Sequence, residues 1–584
     1  MSRSASRLIV ALTLAAIIMV PAILHTQATT AEIPSATIRA NARLVLVDVV
    51  VTDKKGQPIT GLKPEDFTVE ENGKKQKVSV FVPPGAANGP TPAPTPPGIL
   101  SNHPENVGPA GVPTVLILDA LNSPFKDQAY ARSQMLKYVV EQSQPGQLMA
   151  VVGLTDRLHV LQQFTSDPQI LLTAIKNYRP QEQILQASPP PAVGETPDAG
   201  LRVGGAALLS IEAGRQVASF SNLQVGFDLE RRTLITIEAM RSLSRMLGGL
   251  QGRKTVVWLT ADLPFDLIPE NRNITDAELA ADLPHMGNQA ATVRGAGAVA
   301  SEERALHGQA IKDAEAQLAG AGIVIYPVDV RGLVGGMESL AAVSEAHSQD
   351  IHGAGLANQA IRQSQGLEAS QDTMREIATE TGGKVYVNEN EIRQGVALAV
   401  SDNKASYEIG YYPENKKWDG KYRNIKVKLA QGDTQIRHRK GYFAVDPMQN
   451  KDVNYESDVA AALAVGAPAT QVSFMAQAKP TGPGKVHVVF LVDAHTLSAD
   501  DSGGNKKMNV TLYAGQYDAS GKSLGVHSTK VDKAFDAGTY QQILDHGMMV
   551  PIDMDVAAGA KELRLAVLDG KTGFIGTTSG PLGQ

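Results

Sequence analysis

The sequence predicts an α/β protein with a doubly wound, mostly parallel sheet, flanked by a small N-terminal β-module and a C-terminal β-sandwich. Short, wholly apolar runs at 114–118, 255–260 and 323–328 are typical of central strands that are buried on both faces. Segments with helical spacing of apolar residues lie between these runs, for example at 128–141 and 231–250. Because strands alternate with helices, we expect the strands to lie side by side and parallel, with helices on both faces.

Further elements extend this central unit over residues 113–446. Each of them shows a short apolar run or a helical spacing of apolar residues. The additional strands are predicted at Met149–Leu154, 158–164 and 384–387, and the additional helices at 168–178, 302–318, 371–380 and 391–402. A β extension closes the unit, with antiparallel strands predicted at 407–412, 422–429 and 434–439. Long polar insertions interrupt the unit at 180–228, 262–300 and 331–370.

The regions on either side of the central unit carry β signals. At 40–82, a β-branched run precedes two short strands joined at Asn72-Gly73, a strong hairpin signal, so we expect a small β-module there. Pro, Gly and Ala dominate residues 83–112, which predicts an extended linker because such a segment buries little apolar surface. From 470 to 584 only short alternating strands and turns recur, which predicts a β-sandwich, immunoglobulin-like in outline.

The start of the chain predicts export. Arg3 and Arg7 precede an apolar run at 8–24, and small residues follow it, as in a secretory signal peptide over residues 1–31. The alternative is an uncleaved membrane anchor, since an apolar run of 17 residues is near the lower limit for spanning a bilayer. Later segments carry no comparable run, so we expect a secreted, periplasmic or cell-envelope protein.

Composition and motifs argue against several classes of function. The 584 residues carry 54 Lys+Arg against 60 Asp+Glu, a formal net charge of −6, and no dense basic block, which argues against a nucleic-acid partner. The chain has no cysteine, which excludes disulfides, thiolate metal sites and Cys nucleophiles. The HExxH motif, the Gly-x-Ser-x-Gly elbow and the P-loop are also missing from the sequence, so we predict a protein that is not an enzyme.

Several strings occur together in an order that is specific in combination. They include VDVVVT at 47–52, GLKPEDFTVEE at 61–71, FTSD at 164–167, YPVDVRG at 326–332, ETGG at 380–383, and SYEIGYYP, DGKYRNIKVK and RKGYF within 406–443. In this combination the chain resembles the von Willebrand factor A-related proteins best known from acidobacterial genomes, over about residues 40–445. The resemblance implies a von Willebrand A-like domain at 113–446 in an exported protein. Members of this family are mostly uncharacterised, so the resemblance implies a fold more firmly than an activity.

The resemblance also implies a metal-ion-dependent adhesion site. A domains bind Mg²⁺ or another divalent cation at the carboxyl edge of the sheet, through the hard oxygen ligands that such ions prefer. The matching residues are Asp119 and Ser123 after the first strand, Thr233 near the start of a helix, and Asp262 after the fourth strand. Thr236 is a second choice for the loop threonine.

This implied site is degenerate. Leu121 stands where the family pattern has a serine, so one oxygen ligand is lost, and Asp262 lies one residue later than the usual order. The alternative interpretation is that Asp119 and Asp262 are strand-end or capping carboxylates with no ion.

The leading functional hypothesis is an exported binding or scaffolding protein that mediates protein–protein interaction or adhesion. With an ion present, an Asp or Glu of the protein partner would complete its coordination; without one, the edge loops and the insertions would make the contacts. We expect no membrane contact beyond the N-terminal segment, and the sequence leaves the oligomeric state open. The alternatives are a secreted hydrolase, with active residues in the insertions or the C-terminal sandwich, and a purely structural envelope component. A hydrolase would bring together paired carboxylates or His with perturbed pKa values in a deep cleft.

Overall fold

The computed structural model describes most of the predicted units. The described residues are 44–85, 98–103, 112–143, 147–179, 228–264, 308, 310–332, 367–368, 370–403, 405–430, 434–446, 455–465 and 468–582. The predicted signal peptide and most of the three long insertions lie outside these residues.

The strands and helices are labelled in chain order. The strands are β1 Val45–Thr52, β2 Phe67–Glu71, β3 Lys74–Gln76, β4 Val78–Val82, β5 Ile99–Ser101, β6 Thr114–Asp119, β7 Met149–Leu154, β8 Leu158–Thr165, β9 Lys254–Thr260, β10 Ile323–Asp329, β11 Ser406–Tyr411, β12 Tyr422–Leu429, β13 Gln435–Arg437, β14 Gly441–Phe443, β15 Phe474–Gly482, β16 Lys485–Val492, β17 Asp500–Ser502, β18 Asn505–Tyr517, β19 Ser523–Phe535, β20 Met548–Asp555, β21 Glu562–Asp569 and β22 Ile575–Pro581. The helices are α1 Phe125–Glu141, α2 Pro168–Asn177, α3 228–247, α4 310–320, α5 370–381, α6 Ile392–Asn403, α7 Tyr455–Val465 and α8 Ala537–His546.

The middle of the chain forms a five-stranded mixed sheet in the order β10-β9-β6-β7-β8. Neighbouring strands are parallel except for β8, which runs antiparallel to β7 at one edge. From β6 in the centre, the chain first builds one side of the sheet and then crosses to the other, which is the strand order of a doubly wound sheet. The prediction that 114–118, 255–260 and 323–328 are neighbours in one sheet is confirmed.

Helices cover both faces of this sheet, which explains the wholly apolar strands. On β6, Val115 and Ile117 pack into one core with α3, α4 and α5. Leu116 and Leu118 pack into a second core with α1, α2 and α6. Because successive side chains point to opposite faces, a strand between two helical layers needs apolar residues at every position.

The predicted sixth strand at 384–387 is much shorter in the structure than expected. In the described residues it is a single parallel bridge between Tyr386 and Val328 of β10. Tyr386 donates to the Pro327 carbonyl and accepts from the Asp329 amide. Two residues later Asn388 takes a φ of 58°, which turns the chain out of the extended conformation.

The N-terminal strands share their sheets with the β extension of the central unit. One antiparallel sheet has the order β13-β1-β11-β4 and the other β14-β12-β2-β3, and both contribute to a common apolar core. The hairpin predicted at Asn72-Gly73 joins β2 and β3, with φ of 47° and 79° at its two residues. We call this double layer the N-terminal sandwich. The segment 40–82, predicted as a β-module, therefore completes its sheets only with strands from 406–443.

The C-terminal region also forms two antiparallel sheets around one apolar core. Part of the predicted linker belongs to this region, since β5 pairs with β15. The buried Asn102 fixes this pairing: its amide nitrogen donates to the carbonyls of Ala469 and Val472, and its oxygen accepts from the Phe474 amide. Residues Ile99–Ser101 of the predicted linker thus supply an edge strand here, while the immunoglobulin-like outline stays a prediction.

Candidate functional site

Charged side chains gather where β6, β9 and β10 end. Asp119 ends β6, Asp329 ends β10, and Asp262 lies two residues beyond β9. Because parallel neighbours place their carboxyl ends at one edge, these residues share a surface that we call the rim. The rim is defined by Asp119, Asn122, Arg232, Asp262, Asp329 and Arg331.

Asp119 is buried and held by neutral donors. Its Oδ1 accepts from the Asn122 amide at 2.8 Å, and its Oδ2 accepts from Asn122 Nδ2 at 3.0 Å and Trp258 Nε1 at 2.9 Å. Burial raises the pKa of Asp119, and these hydrogen bonds offset part of that rise. Both carboxylate oxygens therefore accept hydrogen bonds from protein N–H groups.

A guanidinium group joins the loops that follow β6 and β9. Arg232 Nη2 donates to Asp262 Oδ2 at 2.9 Å, and Arg232 Nε donates to Asn122 Oδ1, also at 2.9 Å. The Arg232 side chain is 22% exposed and that of Asp262 is 37% exposed. A charge-assisted pair at this depth fixes the position of both loops.

The hydroxyl residues predicted at the site also lie at this edge. Ser123 Oγ accepts from the Ala261 amide at 2.9 Å. Thr233 donates to the carbonyls of Leu229 and Pro264, at 2.9 and 3.2 Å, and makes no hydrogen bond to Asp119 or Asn122 among the described residues. Thr236 instead accepts from Asn122 Nδ2 at 3.3 Å. The structure thus brings the second-choice threonine, rather than Thr233, into contact with the Asp119 network.

A second guanidinium group lies at the end of β10. Arg331 forms a fork with Asp329, with Nε–Oδ1 and Nη2–Oδ2 distances of 2.8 Å each. Ser370 links this pair to the other half of the rim, since its Oγ accepts from Arg331 and donates to the Ala261 carbonyl at 3.0 Å. The rim is therefore one connected network across the ends of three strands.

Sequence reasoning missed both arginines. It considered only oxygen ligands, so a positive side chain beside a strand-end carboxylate had no place in the pattern. The available signal was Arg331 two residues after Asp329, and Arg232 beside the threonine predicted at the site.

The predicted ligands do not fit a resident divalent cation. Mg²⁺ requires about six oxygens in an octahedral array, whereas the Asp119 oxygens face N–H donors and Asp262 Oδ2 faces Arg232. Leu121 contributes no oxygen and packs into the core. Across the part of the chain that the structure describes, no cluster of three or more His, Asp or Glu side chains could hold a metal ion.

A small cavity lies between the α/β unit and the N-terminal sandwich. It holds about 30 Å³, with Glu315, Glu380 and Tyr422 among its lining residues. Burial, followed by the nearby Glu380, raises the pKa of Glu315 to about 9. Burial also raises the pKa of Glu380, which accepts a hydrogen bond from Tyr422. Ligand sites in proteins commonly enclose about 300–1,000 Å³, so this carboxyl pair has room for a water molecule but not for a substrate.

Comparisons with known proteins give distant likenesses only. No protein-family model matches the chain, and no curated protein matches its sequence. Among solved structures, the chain is similar to an aerotolerance-related membrane protein from Bacteroides fragilis NCTC 9343, at 14% identity over 50% of this chain and 100% of that chain, with a TM-score of 0.22. It is also similar to a von Willebrand factor type A structure from Catenulispora acidiphila, at 9% identity over 91% of this chain and 74% of that chain, with a TM-score of 0.20.

A third likeness is to the pilus adhesin SpaC from Lactobacillus rhamnosus GG, at 9% identity over 91% of this chain and 62% of that chain, with a TM-score of 0.24. TM-scores in this range do not establish a shared fold, so none of these structures assigns a function to the chain. Among the described helices, none has the length and apolar character needed to cross a bilayer.

Proposed function

We propose that this chain is an exported binding or scaffolding protein whose α/β unit, of the von Willebrand A-like type, holds a protein partner at the rim. The observation that carries the proposal is the adjacency of β6, β9 and β10, with charged side chains at their carboxyl ends. In open α/β sheets, ligands bind outside the carboxyl ends of the strands, where the strand order reverses. Here the order reverses between β6 and β9, the strands that carry Asp119 and Asp262.

The rim offers donors for contacts with a partner. Arg232 and Arg331 are 22% and 20% exposed, and Nη1 of each has no hydrogen-bond partner among the described residues. Guanidinium groups are well suited to bind carboxylates and carbonyls of another protein. The exposed Phe125, two residues after Ser123, adds an aromatic side chain beside this edge. The N-terminal and C-terminal sheets would serve as spacers.

Site-specific photo-crosslinking tests this proposal. The full chain carries p-benzoylphenylalanine in place of Phe125, a conservative change at a side chain that is 52% exposed. The matched control carries the same probe in place of Met549, which is 70% exposed on β20 of the C-terminal region. In the cells that make the protein, we expect a discrete protein adduct from position 125 and none from position 549. The same adducts from both positions, or none at 125, would rule out the rim as the docking surface.

A further inference from the structure

Two carboxylates of the rim are each paired with an arginine, at the edge of the sheet where the resemblance implies a metal ion. Asp262 is paired with Arg232 and Asp329 with Arg331, at N–O distances of 2.8–2.9 Å. A divalent cation would bring a charge of two to such a site. Two guanidinium groups bring the same total charge.

We infer that Arg232 and Arg331 supply at the rim the positive charge that a divalent cation would supply, so that this rim is held together without a metal ion. The inference goes beyond the proposed function, because it concerns how the rim is built and stands whether or not a partner docks there. It also assigns the rim arginines a role that the resemblance gives to an ion.

The position of Arg232 supports this replacement. An ion at the edge of such a sheet would join the loop after β6 to the loop after β9. Arg232 makes this connection, through Asn122 on one side and Asp262 on the other. Asn122 in turn donates to Asp119, so the guanidinium group is connected to the strand-end carboxylate through one side chain.

The surroundings of Asp119 disfavour an added cation. Its oxygens accept from the Trp258 indole and from two N–H groups of Asn122, at 2.8–3.0 Å. Trp258 is fully buried. A cation on Asp119 Oδ2 would compete with these donors, and loss of its hydrogen bond would leave the Trp258 N–H buried without an acceptor, which is unfavourable.

The Asp329 carboxylate is bound by several N–H donors, as Asp119 is. The Arg331 fork on Asp329 is the bidentate geometry in which Arg pairs with carboxylate most strongly. Gln371 Nε2 adds a further donor to Asp329 Oδ2 at 3.1 Å. Lysine, a single point charge, cannot reproduce this arrangement.

Calorimetric titration of the full chain with Mn²⁺, after dialysis against EDTA, tests the inference together with thermal unfolding. The unsubstituted rim, Arg232→Gln and Arg232→Lys are compared in the Trp418→Phe background, so that Trp258 fluorescence is the unfolding signal. We expect no saturable Mn²⁺ heat on wild type and no shift of its midpoint with EDTA. Arg232→Gln should lower the midpoint by about 2–6 °C. Arg232→Lys should lower it by roughly half as much, because lysine keeps the charge but makes fewer contacts.

Three results would overturn the inference. One is a saturable Mn²⁺ heat on wild type that Asp119→Asn abolishes. The others are an unchanged midpoint in Arg232→Gln, and equal losses in the Gln and Lys variants, which would show that charge is not what Arg232 supplies. The outcome at the Phe125 crosslinking position has no bearing on these readouts, so the two proposals fail separately.

Discussion

Two hydrogen-bonded networks of arginine and carboxylate side chains differ in how exposed they are to solvent. In the N-terminal sandwich, Glu71 and Arg423 are 3% and 2% exposed. Glu71 also accepts from the hydroxyls of Tyr411 and Tyr442, at 2.8 and 2.9 Å. We call these four residues the sandwich network. At the rim the arginines are one-fifth exposed, and each keeps a guanidinium nitrogen without a partner among the described residues. Pairs of arginine and carboxylate are therefore buried in the core of the sandwich, whereas at the rim they leave N–H donors exposed at the surface.

The difference follows from where each network lies in the fold. The sandwich network draws side chains from β2, β12 and β14 of one sheet and from β11 of the other, so two sheets exclude water from it. The rim lies at the ends of β6 and β10, on the loops that follow β6, β9 and β10, and on the first turns of α3, and its two arginines stay about one-fifth exposed. A buried pair that loses one partner is strongly destabilised, whereas a partly exposed pair is weakened by water.

Each network has its own tryptophan, which makes the comparison measurable. Trp258 donates to Asp119 at the rim. The Trp418 ring lies 5.9 Å from the ring of Tyr442 and 5.4 Å from Arg423 Cζ. Because the chain has two tryptophans, Trp258→Phe leaves a reporter for the sandwich and Trp418→Phe leaves one for the rim.

Removing the carboxylate of the sandwich network should have the largest effect. Glu71→Ala leaves the Arg423 guanidinium buried without its carboxylate, and we expect the free energy of unfolding to fall by about 3–5 kcal/mol. Urea unfolding of the Trp258→Phe background, followed by Trp418 fluorescence, measures the loss.

The neighbouring residue provides the control for this change. Glu70 precedes Glu71 on β2 and pairs with the half-exposed Lys428 at 2.6 Å. We expect Glu70→Ala to leave the urea midpoint almost unchanged, since surface pairs contribute little. Equal losses from both substitutions would show that burial of Glu71 does not set the stability of the sandwich.

The carboxyl group of Glu315 should give a pH dependence whose total size over several pH units is comparable with the Glu71 effect. Its Oε1 is buried without a hydrogen-bond partner among the described residues, unlike the carboxylates of the sandwich network and the rim. Burial raises its pKa to about 9 from 4.5. Between these values the folded chain holds a proton that the unfolded chain has released. Stability therefore falls as pH rises from 5 to 9, by at most about 1.4 kcal/mol per pH unit.

Glu315→Gln isolates this contribution. The amide cannot ionise, so the variant should lose less stability than wild type between pH 5 and pH 9. The exposed Glu65→Gln serves as the control and should follow wild type throughout. Parallel stability curves for wild type and Glu315→Gln would mean that Glu315 is ionised at neutral pH in the folded chain.

The sequence was most informative where local pattern determines structure. Wholly apolar runs predicted β6, β9 and β10, because a strand that is buried on both faces needs apolar side chains at every position. Asn72-Gly73 predicted a hairpin, because both residues tolerate a positive φ. The pairing of β1 with β11 could not be predicted, since antiparallel partners distant in sequence leave no mark on the local pattern. The pairing of β5 was missed because proline-rich composition conceals a three-residue edge strand.

At the rim, the sequence predicts which residues lie at the edge of the sheet but not the direction in which their side chains point. Asp119, Ser123 and Asp262 were predicted at one edge because each lies at or just after the carboxyl end of a parallel strand. Thr233 and Thr236 lie three residues apart on α3, and only the orientation of the helix decides which of them meets Asn122. A spacing pattern does not carry that orientation.

Reducing the number of hydrogen bonds between residue 331 and Asp329 should have the smallest effect. It tests how much the two-bond arrangement contributes at the rim. Arg331→Lys keeps the charge but replaces the two-bond fork on Asp329 with a single contact, so we expect a loss of about 1 kcal/mol. Trp258 fluorescence in the Trp418→Phe background follows it. Arg375→Lys is the control, because Arg375 is 44% exposed and pairs with Asp372 on the surface of α5. If both variants unfold at the wild-type urea concentration, the fork contributes no more than an ordinary surface pair, and the rim is held by Asp119 and Arg232 alone.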